Sequence, residues 1–152
     1  MQINIIAYSP AHAADFKALN AAWLYQYGLM EPADMKMLDN PQAEILDGGG
    51  AIFLAEVNGS IAGTAALISE GNGVYELAKM SVVPAWQGKG ISKLLITHCI
   101  NRAKQLAATK LYLVSNSQLT TALALYEKYG FAYVPVTNAH YATADIMMEL
   151  HF

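Results

Sequence analysis

Gly88 and Gly90 stand within three residues of each other, at the point where a long amphipathic helix is predicted to begin. The first turn of a helix carries unpaired amide groups and a partial positive charge, and both features attract anions. Because glycine has no β-carbon, the amides of residues 88–92 could approach a pyrophosphate group closely, and Lys89 could add positive charge. A strand-to-helix turn that uses glycine only for its geometry accounts for the pair equally well.

Two common phosphate-binding motifs do not fit this loop. The P-loop pattern GxxxxGK[ST] needs a glycine five residues before a Gly-Lys-Ser/Thr triplet, and the sequence has none there. The dinucleotide-binding pattern GxGxxG needs a third glycine after an early strand, whereas GKGISK has two glycines and follows a late strand. A nucleotide-binding domain that uses the loop for a plain diphosphate stays open as an alternative.

Hydrophobic periodicity predicts the elements that position this loop. Strands are predicted over QINIIAY, over AIFLAEV and SIAGTAALISE on either side of an Asn-Gly turn, and over VYELAKMSVV, KLYLVSN, FAYVPV and ATADIMMEL. Helices are predicted after Pro10, from Ile91 onward and over TTALALYEKYG. The segment 27–50 is expected to be irregular, apart from a short helix capped near Glu31 or Asp34. This order predicts a single α/β domain over residues 1–152, with a sheet that is part antiparallel and part parallel.

The composition excludes several classes of protein. A net charge of −3 with nine Lys and Arg residues argues against a nucleic-acid partner, and no apolar stretch is long enough to cross a membrane. The N-terminus lacks the pattern of a secretory signal, and the lone Cys99 suits a reducing compartment, so we expect a cytoplasmic protein. No metal site is expected, because neither Cys99 nor the histidines show metal-ligand spacing; the histidines are His12, His98, His140 and His151.

The run LAKMSVVPAWQGKGISKLL, followed by KLYLVSN and ALALYEKYGF, resembles the acetyl-coenzyme A binding half of the GNAT N-acetyltransferase superfamily. The loop pattern of that family is Q/RxxGxG/A; Gln87 and Gly90 match it, and Ser92 replaces the last small residue. The resemblance implies the GNAT acyl-CoA N-acyltransferase fold, a mixed and mostly antiparallel central sheet flanked by helices. In that fold a splayed strand pair forms the cofactor cleft. The resemblance also implies acetyl-CoA as the acyl-donor cosubstrate.

Cofactor-binding roles follow from the resemblance for one strand, one loop and one helix. The strand that ends at Val82 is expected to pair its backbone with the pantetheine arm, and the loop amides to hold the diphosphate. Asn116 is expected either to hydrogen-bond the cofactor or to act as a turn residue that caps the next helix. The complete implied set is Met80, Val82, Gln87, Gly88, Lys89, Gly90, Ile91, Ser92, Asn116 and Tyr126.

The resemblance implies catalytic roles for Tyr126 and Glu76. The family commonly has a tyrosine at the position of Tyr126, near the coenzyme sulfur, where its hydroxyl can protonate the leaving thiolate; the alternative is an aromatic packing residue. Glu76 is expected to take the proton of the attacking amine, directly or through water; the alternative is a solvated or ion-paired strand glutamate. A backbone amide near Val82 is expected to stabilise the oxyanion. Strand alternation would place Glu76, Ala78, Met80 and Val82 on one face.

These residues predict an enzyme that transfers an acetyl group from acetyl-CoA to a primary amine of a small molecule, or as a second choice of a peptide or protein. The amine would attack directly in a ternary complex. A non-catalytic acyl-CoA binding or sensing module is the alternative function. By analogy with the first loop and last hairpin of the family, the acceptor is expected to be bordered by Tyr25, Tyr27, Glu31 and Tyr141. The final strand, with its apolar residues 146–148, could join the sheet of a second copy in a homodimer or complete the core.

Overall fold

Seven strands form one mixed sheet in the computed structural model, which describes residues 2–137 and 141–152. The strands are β1 (Ile3–Ala7), β2 (Ala51–Val57), β3 (Ser60–Gly71), β4 (Val74–Val82), β5 (Lys110–Ser115), β6 (Ala132–Val134) and β7 (Ile146–His151). Their order across the sheet is β1-β2-β3-β4-β5-β7-β6. Every neighbouring pair is antiparallel except β4 and β5. The predicted mixed and mostly antiparallel sheet is therefore confirmed.

The α-helices pack on both faces of this sheet. They are α1 (Ala13–Gln26), α2 (Pro32–Asp39), α3 (Ile91–Gln105) and α4 (Thr120–Lys128). The segment predicted to be irregular is largely helical, because α2 is followed by a π-helical turn at Gln42–Leu46. Glu31 and Asp34 form a capping box at the start of α2, in which the backbone N–H of Glu31 donates to Asp34 Oδ2 at 3.0 Å. Within the described ranges, no helix is both long and apolar enough to span a membrane.

Two hydrophobic clusters lie on opposite faces of the sheet. The first packs α3 and α4 against β4 and β5, and its buried members include Leu77, Leu95, Ile96, Cys99 and Leu111. The second packs α1 and α2 against β2 and β3, and its buried members include Phe16, Leu24, Leu38, Ile52 and Leu54. We refer to these faces as the α3 side and the α1 side. The central strands are therefore covered on both faces, which accounts for their nearly continuous apolar sequence.

The last strand, β7, is an interior strand of the sheet. It pairs with β5 along one side and with β6 along the other. Met147 and Met148 on this strand are both buried. Of the two roles considered for this segment, the structure therefore supports completion of the core, and homodimerisation stays a prediction.

Strand β4 contains a bulge near its C-terminal end. Its pairing with β3 slips by one residue between Ala78 and Ser81, so that Lys79 and Met80 together lie opposite one residue. Lys79 adopts a positive φ of 53°, a backbone conformation that side chains other than glycine rarely adopt. Met80 and Val82 consequently pack against the α3-side cluster, whereas Ala78 packs on the α1 side. The predicted alternation is therefore wrong beyond Ala78, because one inserted residue reverses the faces that follow.

The parallel strands β4 and β5 are paired over only three residues each. Val74–Glu76 pairs with Lys110–Tyr112, and the pairing ends there. The rest of β4 continues to pair with β3, and the rest of β5 with β7. The two strands therefore separate at their C-terminal ends, which opens a cleft in the middle of the sheet. Among the residues that the structure describes, 77–82 have no strand partner on that side.

Candidate active site

A cleft of about 660 Å³ lies where β4 and β5 separate. It is bordered by α1, by the C-terminal halves of both strands, by the first turns of α3 and α4 and by residues 141–144. Most of the site residues predicted from the sequence line this cleft: Tyr27, Glu76, Met80, Val82, Gln87, Gly88, Gly90, Ile91, Ser92, Asn116, Tyr126 and Tyr141. Three other residues were also predicted to belong to the site but do not line the cleft: Lys89, Tyr25 and Glu31.

The loop before α3 presents backbone amides to the cleft. Gly88 and Gly90 have positive φ values of 76° and 84°. A β-carbon built at either position would meet no atom within 4 Å, so both glycines border open space. The helix has no side-chain cap at Gly90, and the amides of residues 88–93 have no hydrogen-bond partner in the described part of the chain. Gln87 Nε2 donates to the carbonyl of Val82 at 3.1 Å, which ties the loop to the end of β4.

This loop fits a diphosphate group. Unpaired amides at a helix N-terminus satisfy anionic oxygens, and their dipoles favour negative charge. The open space where two β-carbons would otherwise lie allows such a group to approach the backbone itself.

Tyr126 supplies a phenol hydroxyl group to the same cleft. It lies on α4, is 8% exposed, and packs its ring edge to face against Phe131 with the centroids 5.9 Å apart. Burial, together with the neighbouring thiol of Cys99, raises the pKa of Tyr126 to about 12. The hydroxyl is therefore protonated at neutral pH. It can donate this proton to a group within the cleft.

Glu76 supplies a carboxyl group of unusual basicity. Its side chain is 4% exposed and lines the cleft from β4. Burial is the main cause that raises the pKa of Glu76 to about 7, and the nearby charge of Glu70 adds to it, while Lys79 lowers it. No ion pair forms at Glu76 in the described part of the protein, so the solvated or ion-paired alternative does not describe it. A carboxylate with this pKa can accept a proton near neutral pH.

A buried ion pair between Lys79 and Asp34 stands beside Glu76. The Lys79 ammonium contacts Asp34 Oδ1, and the two residues are 7% and 3% exposed. The ammonium also lies 5.2 Å from the centre of the Tyr141 ring. No local sequence pattern indicates this pair, because its partners are 45 positions apart and lie in a strand and in the first turn of a helix. Of the two residues, only Asp34 belongs to a local sequence pattern, that of a helix cap.

A chain of buried hydrogen bonds holds the bulge at Lys79 from the α1 side. Trp23 Nε1 donates to Asn20 Oδ1 at 3.1 Å, and Asn20 Nδ2 donates to Thr64 Oγ1 at 3.0 Å. Thr64 Oγ1 in turn donates to the carbonyl of Lys79 at 2.7 Å. The side chain and the carbonyl of Lys79 are therefore both fixed, as a backbone in a rarely populated conformation requires.

Glu31 and Asn116 fasten the segment 141–144 over the cleft. The Glu31 carboxylate accepts hydrogen bonds from the amides of Ala142 and Thr143 at 2.9 and 3.0 Å, and from Thr143 Oγ1 at 2.6 Å. Partial burial raises the pKa of Glu31, but these hydrogen bonds outweigh that effect and lower the pKa overall. Asn116 Nδ2 donates to the carbonyl of Thr143 at 2.9 Å, and Asn116 Oδ1 accepts from the amide of Gln118 at 3.0 Å. Glu31 therefore clamps this segment, and Asn116 braces the turn after β5.

Tyr25 is 63% exposed and lies outside the cleft. Within residues 2–137 and 141–152, no three His, Cys, Asp or Glu side chains are grouped to hold a metal ion. His140 lies outside these described ranges.

Comparison with known proteins agrees with this geometry. Residues 16–131 match the model of the "Acetyltransferase (GNAT) family". The uncharacterized N-acetyltransferase YjgM of Escherichia coli K12 is 33% identical over 89 residues, which cover 57% of this chain and 53% of the relative. The chain therefore matches about half the length of this curated relative.

Two crystal structures share the fold over nearly their whole length. An acetyltransferase of the GNAT family from Staphylococcus aureus Mu50 has a TM-score of 0.91 at 22% identity, with 99% of each chain covered. The PaiA N-acetyltransferase of Thermoplasma acidophilum, solved in complex with coenzyme A, has a TM-score of 0.80 at 17% identity, with 100% of each chain covered.

Proposed function

Since the chain belongs to the GNAT acetyltransferase family, whose acyl donor is acetyl-CoA, we propose that it transfers an acetyl group from acetyl-CoA to a primary amine of a small molecule. One observation carries the proposal. Unpaired loop amides, a protonated phenol and a carboxyl group with a pKa of about 7 all border a single cleft.

The residues that would hold acetyl-CoA follow the cleft from the loop to α4. The amides of Gly88, Lys89, Gly90, Ile91 and Ser92 bind the diphosphate. The unpaired side of β4, near Met80 and Val82, offers backbone hydrogen bonds to the pantetheine amides. When bound, the thioester supplies an activated acetyl group.

The protein's own groups then transfer the protons. Glu76 accepts one proton from the ammonium group of the acceptor, directly or through water, so that the nitrogen has a free lone pair. As the new C–N bond forms and the C–S bond breaks, Tyr126 donates its proton to the sulfur, and the second proton of the nitrogen passes through water to the Tyr126 phenolate. A backbone amide of the C-terminal half of β4 stabilises the oxyanion that forms at the carbonyl. No covalent enzyme intermediate is needed.

The role of Glu76 predicts a dependence of the rate on pH. We expect kcat, measured with saturating acceptor, to rise with pH through about 7 and then level off, because only the ionised carboxylate accepts a proton. Glu76→Gln should abolish this rise and lower the plateau by about 100-fold. Glu70→Gln should move the rise to lower pH, because the Glu70 charge helps to raise the pKa of Glu76. An unchanged pH profile in Glu76→Gln would exclude Glu76 as the base.

The role of the loop predicts a loss of cofactor affinity in Gly90→Val. The new side chain occupies the space open to the diphosphate and strains a backbone with φ of 84°. We expect the Kd for coenzyme A, measured by calorimetry, to rise at least about tenfold. Gly59→Val is the matched control, because Gly59 has a φ of 79° and equally open surroundings in the β2–β3 turn. Equal losses in both variants would show that backbone strain, and not the phosphate site, is responsible.

A direct test of the proposal is release of free thiol from acetyl-CoA in the presence of a panel of amines. Turnover of at least one amine, with the acetylated product identified by mass spectrometry, is the expected result. Binding of coenzyme A without turnover of any amine would instead identify a sensing module. Tight binding of ADP with no binding of coenzyme A would identify a plain nucleotide site.

A further inference from the structure

The α1 side of the cleft is walled by aromatic and aliphatic side chains. Trp23 and Leu24 of α1 line it, as do Tyr27 and Leu29 just beyond the helix, and Tyr141 lies near Lys79. Trp23 and Tyr141 are half-buried, while Leu24 and Leu29 are buried. This part of the cleft therefore offers a largely apolar surface to whatever molecule enters beside Glu76.

The charges on this side are almost entirely paired. Lys79 and Asp34 neutralise each other. The carboxylate of Glu31, which does not line the cleft, accepts three hydrogen bonds. Among the described residues that line the α1 side, Glu76 is the one charged group without an ion-pair partner. The remaining lining lysines, Lys93 and Lys128, lie on α3 and α4.

This distribution of charges and apolar surface determines which acceptors the cleft can bind. A carboxylate or phosphate on the acceptor would find no unpaired cation there and would be repelled by Glu76. The second and third ammonium groups of a polyamine would have to be buried against the apolar wall or reach Glu70, which lies near Glu76 but does not line the cleft. A single ammonium group is favoured by Glu76, and an aromatic substituent gains from burial against the wall formed by Trp23, Leu24, Tyr27 and Leu29.

We infer that the acceptor is a monoamine carried on an apolar, aromatic side chain with no acidic group, such as an arylalkylamine. This inference rests on the proposed function, because it treats the α1 side as the acceptor site. Three observations support this inference: the neutral Lys79–Asp34 pair, the apolar wall and the single unpaired carboxylate of Glu76.

The test compares phenethylamine with phenylalanine, which adds only a carboxylate, and with spermidine, which adds charge without a ring. Two quantities are measured: kcat/KM by thiol release, and amine binding without acetyl-CoA by tryptophan fluorescence, since Trp23 lines the site. We expect phenethylamine to exceed phenylalanine by about 100-fold or more in kcat/KM and to exceed spermidine clearly. Equal or faster turnover of phenylalanine or spermidine would overturn the inference while leaving acetyl transfer intact.

Binding separates the inference from the proposed function. If no amine is turned over but phenethylamine binds and phenylalanine does not, the acceptor inference is supported and the catalytic proposal is overturned. If phenethylamine neither binds nor reacts, the inference is overturned.

A gain-of-function variant provides a second test. Tyr27→Arg places an unpaired cation on the lining of the α1 side, at a position that is only partly buried. It should raise kcat/KM for phenylalanine relative to phenethylamine by about tenfold. Tyr25→Arg is the matched control, because Tyr25 lies two residues before Tyr27, in the last turn of α1, and outside the cleft. An equal effect of both variants, or no effect of Tyr27→Arg, would overturn the inference.

Discussion

Replacing Tyr126 with phenylalanine lowers kcat by about 100-fold to 10,000-fold, the usual contribution of a positioned general acid. The variant loses only the hydroxyl proton that the leaving thiolate needs. Its ring still packs against Phe131, so the fold and the affinity for coenzyme A are unaffected. Rapid measurements of thiol release with saturating substrates report kcat, and calorimetry reports the affinity.

Tyr129→Phe is the control for this prediction. Tyr129 follows the last turn of α4 and packs against the same cluster without lining the cleft. Removal of the Tyr129 hydroxyl should leave kcat unchanged. Wild-type kcat in Tyr126→Phe would show that another group or a water molecule protonates the sulfur, and Tyr126 would then be a packing residue only.

The buried Lys79–Asp34 pair predicts the largest effect on stability. Asp34→Leu leaves an uncompensated ammonium, and Lys79→Met leaves an uncompensated carboxylate. Each single variant should lose about 3–5 kcal/mol of unfolding free energy. The double variant should recover the part caused by the lone charge, but not the part, about 1 kcal/mol, that Asp34 contributes by capping α2. The reason is that desolvation of a lone charge costs far more than replacement of both charges by apolar groups.

Chemical denaturation of the four proteins measures the coupling between the two positions. A strongly non-additive cycle is expected, with the double variant more stable than either single variant. Additive losses would show that Lys79 and Asp34 act separately, and the pair would then have no part in holding α2 against the bulge. The surface pair Lys17–Asp39, at 2.6 Å and about half exposed, is a control that should show a coupling of at most about 1 kcal/mol.

Local patterns were sufficient to predict most of the fold. The Asn58–Gly59 turn between two apolar runs predicted the β2–β3 hairpin, and the structure has both residues at positive φ. The change of period after Pro84 predicted α3, which begins at Ile91. In each case the signal lies within a few residues of the element that it specifies, so a single sequence contains it.

Long-range contacts explain what the sequence did not reveal. The bulge in β4 occurs at a lysine, which has no preference for positive φ, because Asp34 and Thr64 hold it there from elsewhere in the chain. Glu31 was expected to border the acceptor. In the structure its carboxylate binds residues 142–143, more than a hundred positions away, and no local pattern indicates such a partner.

The amides of residues 88–92 should bind the diphosphate of coenzyme A and direct its sulfur toward Tyr126. A crystal structure of the complex with coenzyme A would show whether they do. We expect diphosphate oxygens within hydrogen-bonding distance of these amides and the sulfur beside the Tyr126 hydroxyl. A coenzyme bound elsewhere, for example in the smaller cavity near His98 and Arg102, would contradict it.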